Sequence, residues 1–238
     1  MIKEIKDKLD WMFADLIFDE GRHLYFVNGV PHPSVSSLIK KHETKVDFNI
    51  IAERVAEREG KTVEEIQAQW TKVKDDACAL GTKTHSYAEF YDGTQIPENG
   101  FQEAAKKFFD ELPPYYEVVY KELRMYSREY KYAGTSDLLL YDKRFDTLVI
   151  ADFKTNKDLW KSYQMLKKPF SSLQQNNYNK YQLQLSYYQI MLEQAGYKVS
   201  NRALIWLKKD GNYEVHSTDD LTKELKTCLS KSSWIPSD

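Results

Sequence analysis

Residues 147–153, Thr-Leu-Val-Ile-Ala-Asp-Phe, form a short apolar run that closes on an acid and is followed by Lys154. A continuous run of this kind is the pattern of a strand buried on both faces, which belongs in the middle of a sheet. Strand side chains alternate, so Asp152 and Lys154 share one face at its end. A buried carboxylate is costly unless it is paired or coordinates a metal. Upstream, a strand predicted over 132–141 carries Gly134-Thr135-Ser136-Asp137. Fourteen residues separate Asp137 from Asp152, enough for a strand, the turn Asp142-Lys143-Arg144-Phe145-Asp146 and a returning strand. Two adjacent antiparallel strands then bring both carboxylates to the same end of a sheet.

The rest of the chain builds around this pair. Residues 16–19 and 23–27 read as a hairpin, with Asn28-Gly29 as a turn. Ser34 is a plausible N-cap for a helix carrying Val35, Leu38 and Ile39, and a second helix is predicted over 47–58, ending at Gly60. Thr62 and Glu65 have capping-box spacing and open a long helical region to about Tyr91, with a bend expected near Gly81, where a helix can approach a neighbouring backbone. A helix over 101–112 stops at Pro113-Pro114, and a strand follows over 116–126. Tyr181, Leu185, Tyr188, Leu192 and Ala195 form a helical stripe closed by Gly196. A hairpin over 203–216 and a helix over 219–229 complete the pattern. The expected architecture is one α/β domain of the α+β type: residues 1–113 a hairpin and mostly helical part carrying His85, and 114–238 a mixed sheet flanked by helices.

Composition narrows the partners. The 238 residues carry 34 Lys and Arg against 36 Asp and Glu, which excludes binding nucleic acid through bulk positive charge. Aromatic content of 14% supplies more burial than disordered chains carry. The two cysteines, Cys78 and Cys228, are too few for a four-Cys zinc site or an iron–sulfur cluster and are expected as reduced thiols. No run reaches the roughly 18 apolar residues of a membrane span, and the opening residues lack the apolar stretch of a signal peptide, so no membrane partner is expected and the cytoplasm is the expected compartment.

Asp137 and Asp152 are hard oxygen donors that select Mg2+ or Mn2+, and Lys154 beside them can orient a water or neutralise charge developing on phosphorus. That is the chemistry of metal-assisted phosphodiester hydrolysis. His85 and Glu89 stand four apart on one helical face, and so do Gln184 and Tyr188.

The ordered set Gly81-Thr82-x-x-His85-x-x-x-Glu89, then Glu122, Gly134-Thr135-x-Asp137, Asp152-Phe153-Lys154 and Gln184-x-x-x-Tyr188 resembles the PD-(D/E)XK nuclease superfamily. More narrowly it is similar to the RecB-type branch, which includes the mitochondrial genome maintenance exonuclease and phage exonucleases; Pro33-Ser34-Val35 resembles an opening common there. The resemblance implies a restriction-endonuclease-like core and a metal held by His85, Asp137, Asp152 and the Phe153 carbonyl, with Lys154 as catalytic lysine. It implies supporting places for Glu89, Glu122, Gln184 and Tyr188. Gln182 competes with Gln184 but lacks an aromatic partner four residues on, and Glu122 could equally be an ordinary ion pair with Lys121 or Arg124. The implied activity is a Mg2+- or Mn2+-dependent DNA exonuclease, without an iron–sulfur cluster, acting on single strands or DNA ends in replication, recombination or repair. A bacterial or phage-infected cytoplasm fits it, and a recombinase or single-strand-binding protein is the partner class it suggests. A structure-specific endonuclease and a noncatalytic DNA-binding module remain open alternatives.

For the DNA path, residues 154–168 hold five lysines against one acid, interleaved with aromatic rings. Lys157, Trp160, Lys161, Tyr163, Lys167 and Lys168, with Phe170 following, are the expected contacts, lysines for phosphates and rings for base stacking.

Overall fold

A computed structural model describes residues 1–231. The chain opens with α1 (Ile2–Met12), then a small antiparallel sheet of β1 (Leu16–Asp19), β2 (Leu24–Val27) and β3 (Val30–His32). Helices α2 (Val35–Lys41), α3 (Phe48–Glu59), α4 (Val63–Phe90) and α5 (Gly100–Asp110) follow. Local chemistry sets their ends: Ser34 and Asp47 cap α2 and α3, Gly60 closes α3 in the left-handed region, and Thr62 with Glu65 completes the capping box of α4. The helix α4 runs unbroken through Gly81, where an added Cβ would meet only the Thr155 hydroxyl at 3.7 Å. Close backbone approach therefore does not explain that glycine.

The main sheet comprises β4 (Tyr116–Ser127), β5 (Tyr132–Asp142), β6 (Thr147–Lys154), β7 (Val199–Leu207) and β8 (Tyr213–Ser217) in that spatial order. Only β6 and β7 are parallel, joined across α6 (Asn177–Gln194); α7 (Thr222–Lys231) packs on α6. As its apolar run requires, β6 is the middle strand and is buried over all but its last residue. Leu148 and Ile150 join Leu139 of β5 under α1, α2 and α6, whereas Val149, Ala151 and Phe153 pack with Leu138 and Leu140 against Ala104, Ala105 and Phe108 of α5. By this alternation Asp152 and Lys154 take the α6 side. The stripe expected along α6 is one part of a helix buried around most of its circumference, Leu183, Ser186, Tyr187 and Gln189 included, because α7 and the β7 end cover what a surface helix would expose. No helix of the described residues is long and apolar enough to cross a membrane.

The β5–β6 turn sets the register of the two aspartates. Asp142, 2% exposed, accepts hydrogen bonds from the Arg144 backbone N–H at 3.0 Å, Nε at 2.9 Å and Nη2 at 2.7 Å. These bonds hold its carboxyl below the usual range, against the upward pull of burial. A carboxylate depressed in the folded state stabilises above its unfolded pKa and loses that contribution as pH falls through the folded value. Asp142→Asn is therefore expected to lower the melting temperature at neutral pH, with the gap closing in strong acid; thermal melts across pH check this.

Candidate active site

Pairing across β4, β5 and β6 creates a row of acids. Lys121↔Leu138 and Leu123↔Ser136 place Glu122 opposite Asp137, and one step beyond Leu138↔Ala151 the same register places Asp137 opposite Asp152. Like charges on facing strand positions destabilise a sheet, so such a row needs cations nearby. From α4, His85 supplies one: its Nδ1 lies 3.2 Å from Asp137 Oδ2 and 3.9 Å from Glu122 Oε1. Donor atoms of His85, Glu122 and Asp137 all lie within 4.8 Å of one another, close enough that they could hold a cation together.

Glu122 has a φ of 54°, a left-handed conformation inside a strand that costs a non-glycine residue on the order of 1–3 kcal/mol. It pairs with neither neighbour that could have made it an ordinary ion pair. The Lys121 ammonium turns to the Tyr91 carbonyl and the Phe109 ring, and Arg124 binds Glu20. Nothing in the local residue pattern marked Glu122 as a donor equal to Asp137; the cross-strand register does. Glu89, one turn beyond His85, lines the same cleft without a hydrogen bond to His85 among the described residues, and burial and the Glu122 charge raise its pKa.

Asp137 Oδ2 also accepts the Phe153 backbone N–H at 2.8 Å. Burial, the largest single effect on Asp137, works to raise its pKa, but His85, Lys154 and that N–H together hold it below the usual value. Burial alone would depress His85, yet Asp137 and Glu122 push it up to about 10. Phe153 meets the site through its backbone, its ring being buried 5.6 Å from that of Phe108.

Asp152 is 1% exposed, and burial, then the Asp137 charge, push it up to about 7. The Lys154 ammonium lies against its Oδ2 and pairs with it, while Oδ1 is buried without a partner. A buried carboxylate oxygen left without a donor is costly in a protein interior. Lys154 is itself buried, and Asp152 and Tyr181 raise its pKa against the downward pull of burial. It donates to Gln184 Oε1 at 3.2 Å and lies 4.1 Å from the Tyr181 ring centre, while Gln184 Nε2 donates to the Tyr188 hydroxyl at 2.9 Å. Gln182 is spent elsewhere, donating to Asn179 and accepting the Asp219 N–H.

Gly134 lets these parts meet. A Cβ there would stand 2.7 Å from Tyr188 Cε1 and 3.0 Å from Val35 Cγ2. Gly134→Ala is expected to destabilise the protein by about 1–3 kcal/mol, the usual range for overpacking, and to displace Tyr188 from Gln184. Urea melts check the first effect.

Glu122 and Asp137 open onto a cleft of about 680 Å³ walled by Phe18, Tyr25, His85, Arg124 and Tyr188 among others, whereas Asp152 and Lys154 lie beneath its surface and do not line it. The expected DNA contacts Lys157, Trp160, Lys161, Tyr163, Lys167 and Lys168 do not line it. They are exposed on an irregular segment over 155–176 whose Leu159, Leu166 and Phe170 are buried. Trp160 packs on Tyr178 at 4.4 Å and His216 at 5.5 Å. Phe170, 2% exposed and edge-on to His42, belongs to the core, so its ring is not open to the expected base stacking. Alternating cations and rings looked alike whether a ring anchored the segment or faced solvent.

Compared with known proteins, the chain matches no family model and none of the curated proteins searched.

Proposed function

We propose that this chain is a Mg2+- or Mn2+-dependent DNA exonuclease with a PD-(D/E)XK core of the RecB type. The observation that carries the reading is the row Glu122, Asp137 and Asp152 with His85 above it and Lys154 beside it, ending in a buried carboxylate that pairs with Lys154 through one oxygen and leaves the other, Oδ1, without a partner. Carboxylate oxygens with one imidazole suit a hard divalent cation, and a cation answers both the unpartnered Asp152 oxygen and the mutual repulsion of the row. His85, Glu122, Asp137 and Asp152 would hold it. When bound, such a cation polarises a phosphoryl oxygen and lowers the pKa of a water.

The protein groups supply orientation and charge. Asp137 is fixed by the Phe153 N–H, so its remaining lone pairs point in a set direction. Lys154, held between Asp152 and Gln184, keeps its proton and presents positive charge where a pentacoordinate phosphorus gains negative charge. Tyr188, buried and hydrogen-bonded to Gln184, keeps that amide from turning.

The test is incubation with single- and double-stranded DNA labelled at either end, and with circular single strands, in Mg2+ and in Mn2+. Stepwise shortening of linear strands with intact circles is expected. Untouched DNA in both metals defeats the enzyme reading, tight binding without turnover points to a noncatalytic module, and cut circles point to an endonuclease.

A further inference from the structure

Among the residues lining the cleft, Arg124 is the sole Lys or Arg, set against Glu20, Glu89, Glu122 and Asp137. It pairs with Thr135, two residues along β4 from Glu122, as Thr135 is two along β5 from Asp137. Two strand residues cover roughly 6.6 Å, the scale of one nucleotide step along an extended strand. A single strand that runs along β4 from the acid row would place the phosphate next to the one seated there beside Arg124.

The guanidinium is engaged by an exchangeable partner. Its Nη2 lies 3.2 Å from Glu20 Oε1, on the turn between β1 and β2, and its carbon lies 5.3 Å from the Phe18 ring centre. Both partners are exposed, Arg124 by 47% and Glu20 by 77%. Exposed pairs of this kind contribute about 0–1 kcal/mol, whereas a phosphate offers Arg two parallel charged hydrogen bonds. Giving up Glu20 therefore costs Arg124 little, and a phosphate can take its place.

We propose that Arg124 binds the phosphate adjacent to the scissile one and that Glu20 competes with DNA for it. This rests on the nuclease reading above. Were the pair only a pin holding the β1–β2 hairpin to β4, removing either partner would have the same effect. A phosphate site with a competitor makes the two variants move in opposite directions.

The experiment measures initial rates on a 5′-fluorescein single-stranded oligonucleotide in Mn2+, with anisotropy of the same probe in Ca2+ to follow binding. Arg124→Ala is expected to raise KM about tenfold or more and to reduce the salt dependence of binding by about 0.7 in log–log slope, the share of one phosphate contact on a single strand. Glu20→Gln is expected to lower KM. Arg124→Lys, which keeps the charge and loses the fork, should fall between parent and Ala, and it serves if circular dichroism shows the Ala variant misfolded. Both variants raising KM, or Arg124→Ala binding like the parent, overturns the assignment. A parent protein that neither cleaves nor binds this probe, nor single or double strands labelled at the other end, overturns the nuclease reading itself, and with it this site.

Discussion

Lys154→Ala is expected to reduce the proposed DNA cleavage, with kcat falling at least about 10²–10³-fold, the usual cost of deleting one group that stabilises charge in the transition state. The ammonium sits against Asp152 and is oriented by Gln184, whereas the other cation of the site, His85, is engaged by Asp137. Folding should survive. Removing one member of a buried ion pair ordinarily costs about 3–5 kcal/mol because the other is left charged, but Asp152, already pushed up to about 7, can take up a proton instead. Lys154→Met separates packing from charge, since its stem can still lie against Tyr181. Single-turnover rates and circular dichroism on both variants check this; a Met variant cleaving at close to the parental rate would remove Lys154 from the chemistry.

The second large effect is on stability. A cation that binds only the folded chain at 100 times its dissociation constant adds about 2.7 kcal/mol, and for a protein of this size each kcal/mol moves the melting temperature by roughly 2–4 °C. Mg2+ or Mn2+ is therefore expected to raise it by roughly 5–11 °C, where K+ at matched ionic strength does not. Asp137→Asn should eliminate the shift, because Asp137 faces both neighbouring acids and His85. Glu122→Gln should shrink it. Differential scanning fluorimetry on parent and variants measures all of these, and an unchanged shift in Asp137→Asn would place the cation elsewhere.

Much of the fold was legible because local rules and tertiary packing agree. The helix ends at Ser34, Asp47, Gly60 and Thr62 rest on capping chemistry within a few residues, and β6 on a single apolar run. Two elements escaped. In α1, Ile2, Ile5, Leu9 and Met12 have helical spacing among charged neighbours but no capping side chain marks its start, and β3 is three residues long with a proline in it. The candidate site was legible at Asp137, Asp152 and Lys154, because strand parity and one turn length are enough to bring them together.

What the chain determined by itself, then, is which segments are helix or strand and which face of β6 carries Asp152 and Lys154, since both follow from contacts within a few residues. Only the tertiary structure decided that Glu122 belongs beside Asp137, that Arg124 and not the lysine-rich segment enters the cleft, and that Phe170 is core. Those outcomes depend on register between strands and on which side of a segment is covered by elements far away in sequence. A charged or aromatic residue looks the same in sequence whether its partner is solvent, a neighbour or a ligand.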